Sequence, residues 1–185
     1  EVAAADESRR ARMAYFDVLC LYGLGGDEEA LKLARQIRRE CDDVAVKADV
    51  TLWIAKFTYN RREWKEASSL FVAFADLVPK NSFAPEALLW ATRASLANND
   101  FAEAIRLATL LAERHPDSQV TLSALLVQSE ALMELARYDE SVLVLERVAI
   151  SARASKAQRL RAELLRADAL FAMGADNAIR YQSAL

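Results

Sequence analysis

Small and apolar positions recur along this chain at one fixed interval. Ala30, Ala67, Ala104, Ser141 and Ala178 stand 37 residues apart. Three after each comes Leu33, Leu70, Leu107, Val144 or Tyr181, and seven after each comes Ile37, Phe74, Leu111, Val148 or Leu185. Offsets of three, four and seven trace one apolar face of an α-helix. Three before the small residue stand Asp27, Trp64, Phe101, Tyr138 and Ala175, so the central units carry an aromatic plug that the terminal ones lack. Twelve after it stand Asp42, Pro79, Pro116 and Arg153, and proline marks a helix exit in two units. A column eight before it, Tyr22, Tyr59, Leu96, Met133 and Leu170, is bulky throughout.

The pattern predicts a first helix and a second helix in each unit. The pairs are expected at 8–22 and 27–41, 44–59 and 63–78, 83–97 and 101–115, and 118–135 and 138–152, with a fifth first helix from Ser155 to Met173, a turn at Gly174 and a last helix from Asp176 that the chain cuts short. Residues 1–6 either continue the first helix or end an earlier unit. Asp100 with Glu103, and Ser155 with Gln158, have the spacing of reciprocal capping boxes. Ser82 is placed to cap the helix in which Pro85 sits in the first turn. Units of this kind bury their apolar faces on their neighbours, so the expected fold is all-α, a superhelical solenoid of about five helix-turn-helix units. Its unit bounds are 8–43, 44–82, 83–117, 118–154 and 155–185, read as a single repeat domain over 1–185.

Composition adds exclusions. The chain has 185 residues, 54% of them hydrophobic, with four Gly, three Pro and a formal net charge of −3. A basic nucleic-acid surface is not expected at that balance. The most apolar stretch, Val18 to Leu24, is much shorter than the roughly 20 residues of a membrane span. Arg35, Arg38 and Arg39, like Arg61, Arg62 and Lys65, read as solvated faces. Cys20 and Cys41 fall on antiparallel helices about 16 Å apart along the axis, beyond the roughly 7 Å that a disulfide spans, so two free thiols are expected.

Catalytic signals are few. The one histidine, His115, ends a helix beside Pro116, where an imidazole commonly meets the last carbonyls. No cysteine pair at ligand spacing, phosphate loop or nucleophile elbow is present in the sequence. Gly23-Leu24-Gly25-Gly26 follows a helix and reads as a turn, and Asp27-Glu28-Glu29 suits a helix first turn. No catalytic residue, cofactor or metal site is expected, and the chain reads as a non-enzyme.

The small residue, aromatic and proline at Ala67, Trp64 and Pro79, and again at Ala104, Phe101 and Pro116, resemble the tetratricopeptide repeat (TPR) pattern. The usual unit of that family is about 34 residues, and the apolar column thirteen before the small residue here reads Asp17, Ile54, Ala91, Gln128 and Leu165, so the first and last units are atypical. The joints Pro79-Lys80-Asn81-Ser82 and His115-Pro116-Asp117-Ser118, with Trp90 following, look more narrowly like those of bacterial cell-envelope TPR proteins such as the Tol-Pal-associated coordinator and the outer-membrane assembly lipoprotein. That resemblance implies an exported, periplasmic or envelope-associated protein, the alternative being a cytoplasmic one.

The TPR resemblance also implies a concave groove lined by first helices that binds a peptide or helix of a protein partner. Its expected lining is Tyr22, Trp53, Lys56, Tyr59, Leu89, Trp90, Arg93, Leu126, Glu130 and Met133, an apolar stripe with Lys56 and Arg93 as a basic centre. The carboxylate clamp of some TPR modules is not implied, since its places hold Tyr15, Leu19, Lys56 and Leu89, with only Arg93 fitting. The alternative to an interaction scaffold is a structural or regulatory segment of a larger protein, or a self-associating module whose stripe a second copy covers.

Overall fold

The computed structural model describes the backbone of residues 2–183 and the side chains of residues 6–174. Over the described residues the chain is nine helices: α1 (Val2–Gly23), α2 (Asp27–Glu40), α3 (Val44–Asn60), α4 (Trp64–Leu77), α5 (Ala84–Ala97), α6 (Phe101–Arg114), α7 (Thr121–Glu134), α8 (Tyr138–Ile150) and α9 (Lys156–Ser183). It divides into two compact units, residues 1–87 and 88–185, with the boundary inside α5.

One backbone device makes the four turns between first and second helices. Gly25, Arg62, Asn99 and Ala136 have φ of 82, 63, 59 and 54° and stand 37 residues apart. Around each, two N–H groups fold back onto the ending helix. Asn99 N–H donates to Leu96 O and Asp100 N–H to Ser95 O, at 3.0 and 2.9 Å. The same pair recurs from Arg62 to Tyr59 and Glu63 to Thr58, and from Ala136 to Met133 and Arg137 to Leu132. This is the Schellman closure, which satisfies carbonyls that a helix end leaves without partners. Asp100 N–H is thereby used, so its capping box is half made: Asp100 Oδ1 accepts from Glu103 N–H at 3.3 Å, while the Glu103 carboxylate pairs with Arg106. The box at Ser155 is complete, with Gln158 N–H on Ser155 Oγ at 3.2 Å and Ser155 N–H on Gln158 Oε1 at 2.9 Å.

The small column is enclosed by the helices, for Ala30, Ala67, Ala104 and Ser141 are all fully buried. In residues 1–87, α1 packs on α2, α2 on α3 and α3 on α4, around Val50, Ile54, Phe71 and Phe74. In residues 88–185, α6 packs on α7, α7 on α8, and α9 on both α8 and α7, around Leu125, Leu132, Leu145, Val148 and Ala162.

Helix α1 begins at Val2, so of the two alternatives for the lead-in, residues 2–6 continue the first helix. Three expectations need correction. Helix α7 begins at Thr121, because 116–120 complete the joint. The side chain that accepts a backbone N–H before α5 is Asn81, from Phe83 at 2.8 Å, in place of Ser82. Most important, no turn forms at Gly174: α9 runs unbroken to Ser183. An interior glycine costs only about 1 kcal/mol, and the helix formers Ala172, Met173 and Ala175 flank it. The side chains of Ala175, Ala178, Tyr181 and Leu185 lie outside the described residues.

Candidate partner-binding groove

Within residues 1–87 the first-helix face is built around an aromatic cluster. Tyr22 on α1 meets Trp53 edge-on with ring centroids 5.6 Å apart, and Phe57 at 5.9 Å. Trp53 and Phe57, four residues apart on α3, stack at 5.2 Å. Phe57 is buried beneath while Tyr22 remains 46% exposed, so the cluster presents a rigid aromatic surface on a filled base. The Arg61 guanidinium lies 5.5 Å from the Phe57 centroid and is held there by Glu28 and by Glu63, the latter at 3.1 Å. Hydrogen bonding to Glu28 raises the Arg61 pKa. The Lys56 ammonium stands 4.9 Å from the centroid of Phe83, itself packed edge-on against Phe74 at 6.1 Å. Tyr59 faces the plug Trp64 at 4.9 Å and Phe71 at 6.1 Å, which makes it part of the corner between α3 and α4.

Within residues 88–185 the expected residues separate. Leu89 and Leu126 are buried, at 5% and 9% exposure, and so offer almost no surface to a partner. Helix α7 is apolar around most of its circumference, with nine of its fourteen residues buried, so the column fifteen before the small residue packs inward there. Trp90 is half-buried and carries the Arg93 guanidinium over its ring at 5.3 Å. Glu130 accepts a 2.7 Å hydrogen bond from Arg161 of α9. Glu130, Met133 and Arg161, with Leu96, Phe101 and Leu165, line an open cavity of about 360 Å³. Leu160, Leu164 and Phe171 on α9 are exposed, at 57%, 59% and 80%.

The expected basic residues thus make one cation–aromatic contact in each compact unit, with Lys56 exposed and Arg93 half-buried. Sequence reasoning missed Phe57, Phe83, Arg61 and Arg161. The four-residue spacing of Trp53 and Phe57 was a signal for the first. Arg61 stands at the same spacing from Phe57, while Phe83 and Arg161 act through contacts between elements that no column records. Among the described residues no group of three His, Cys, Asp or Glu side chains converges as a metal site. No described helix is long and apolar enough to cross a membrane.

No protein-family model and no curated protein sequence matches the chain. Solved structures do. A crystal structure of a kinesin light chain-like protein of Podosopora anserina with nearly identical TPR-like repeats superposes with a TM-score of 0.62 at 19% identity, covering 93% of this chain and 90% of that one. A second crystal structure of that protein gives 0.61 at 18% identity over the same shares. The chain thus has the all-α, TPR-like helical-repeat fold.

Proposed function

We propose that this chain is a non-catalytic protein-interaction scaffold whose first-helix faces hold a helix or extended segment of a partner protein. The observation that carries the reading is the Tyr22, Trp53 and Phe57 cluster, a preformed aromatic surface with Lys56 on α3 and Arg61 at the C-cap of α3. Rigid aromatics beside cations are the usual anchors of protein interfaces, because they bury large area at little entropic cost. The partner segment is then apolar with an acidic residue placed to meet Lys56 or Arg93. The resemblance of the joints at 79–82 and 115–118 to those of cell-envelope TPR proteins supports, within this proposal, a bacterial envelope location.

The test is an affinity pull-down from a bacterial envelope extract, read by mass spectrometry, with the parent, Tyr22→Ala/Trp53→Ala and Lys56→Glu/Arg93→Glu. Thermal melts of each variant show that it remains folded. A protein retained by the parent and lost by both variants supports the groove. Identical retention by all three overturns it.

A further inference from the structure

The outer face of helix α8 departs from its three counterparts. Two and nine residues after the small column, the earlier second helices carry Lys32 and Arg39, Ser69 and Asp76, and Arg106 and Glu113, all polar and all exposed. In α8 the same two places are Leu143 and Ile150, 62% and 83% exposed. These places face outward in every unit, so packing within the repeat gives no reason for them to be apolar. The buried residues of α8, Ser141, Leu145 and Val148, lie on the opposite side of the helix. Seven residues put Leu143 and Ile150 almost in line, about 10 Å apart along the axis. Scattered exposed apolar residues need no explanation, but these two form one stripe, and the charges around them are ordered.

Asp139, Glu140, Glu146 and Arg147 share that stripe, within about a third of the helix circumference. Asp139, Glu140 and Arg147 are exposed, while Glu146 is half-buried. Glu146 lies 4.0 Å from Arg166 of α9, with both side chains more than 40% exposed, and so long a surface pair holds it only weakly. The order of these residues is complementary to itself. When two copies of α8 lie antiparallel about a two-fold axis between residues 146 and 147, Leu143 of each meets Ile150 of the other, and Glu146 of each meets Arg147 of the other. The acidic first turns, with Asp139 and Glu140, then stand at opposite ends of the pair. A parallel pairing would instead set each charge against its own copy, which like charge disfavours.

We infer that the outer face of α8 pairs with the same face of a second copy of this chain, antiparallel, with Leu143 on Ile150 and Glu146 on Arg147. An isologous contact of this kind closes at two copies. It lies on a second helix, apart from the first-helix faces of the proposed groove, so the two stand or fall separately. One helix pair makes a small interface, and the dimer is accordingly a weak one. The test is sedimentation equilibrium of the intact chain from about 10 μM to about 1 mM, the range in which a weak interface assembles. The parent should show a monomer–dimer equilibrium. Leu143→Glu/Ile150→Glu should weaken it about thirtyfold or more, with the melting temperature of the monomer unchanged because both side chains are exposed. Glu146→Arg alone or Arg147→Glu alone sets like charges opposite each other twice and should weaken the dimer about tenfold. The combined exchange, Glu146→Arg/Arg147→Glu, should restore it to within about threefold of the parent. A monomer at every concentration, an association indifferent to Leu143→Glu/Ile150→Glu, or a loss that the combined exchange does not restore would each overturn the inference.

Discussion

Arg153 Nη2 donates a 2.7 Å hydrogen bond to the carbonyl of Pro116, the residue one period before it. The arginine occupies the place that proline holds in two earlier units, and instead of breaking the helix exit it ties its own joint to the preceding one. Its contact with Asp117, at 3.5 Å, is to a fully exposed carboxylate and adds little. Arg153→Ala should therefore cost about 0.5–1.5 kcal/mol in urea unfolding, while Asp117→Ala should stay within about 0.5 kcal/mol. Equal losses would show that the ion pair, and not the carbonyl bond, carries the tie.

The turns allow a change that stabilises. Ala136 holds φ of 54° in a place where a β-carbon is strained, and Gly25 holds 82° in the equivalent place. Ala136→Gly is expected to raise stability by about 0.5–1 kcal/mol and Gly25→Ala to lower it by a similar amount. Nothing lies within 4 Å of a β-carbon built on Gly25, so the loss there would be conformational and not a clash.

The small column and the turns differ in how far the sequence discloses them. Close helix approach permits only a small side chain, so Ala30, Ala67, Ala104 and Ser141 announce their role by type, and the helix pairs follow. The left-handed position tolerates Gly, Arg, Asn or Ala at a cost of about 1 kcal/mol, so Arg62 and Ala136 give no such notice. Gly174 misled for the same reason, since glycine permits a turn without requiring one. In the groove, the aromatic column was legible, but Leu89 and Leu126 were not separable from exposed leucines. An all-round apolar helix has no polar side to mark which face is covered.

Burial sets the scale of the next contrast. Ala104 is fully buried between helices, and Ala104→Glu should cost about 3–5 kcal/mol by placing an unpaired charge there. Arg35 makes two hydrogen bonds to Glu66, at 2.9 and 3.1 Å, yet both side chains are more than 40% exposed. Arg35→Ala should cost no more than about 1 kcal/mol. Chemical denaturation of the two variants in parallel decides whether the small column is where the fold is held.

Acid should loosen the first joint before the helices melt. Asp43 caps α3, accepting from Ala45 and Val46 N–H at 2.8 and 3.1 Å, and Ser8 of α1 donates to its other oxygen. The Ser8 hydrogen bond, foremost, and the backbone bonds lower its pKa below the ordinary carboxylate value. A carboxyl whose folded pKa is lowered stabilises the fold above its unfolded pKa of about 3.9, and that contribution disappears as pH falls through the folded value. The same sign holds for Glu103 and Glu140, lowered by Arg106 and Arg137. The unfolding midpoint should therefore be flat above about pH 5 and fall below about pH 4. Ser8→Ala removes the largest cause at Asp43 and should make that fall shallower, whereas an unchanged acid limb would show that α1 does not hold this cap in solution.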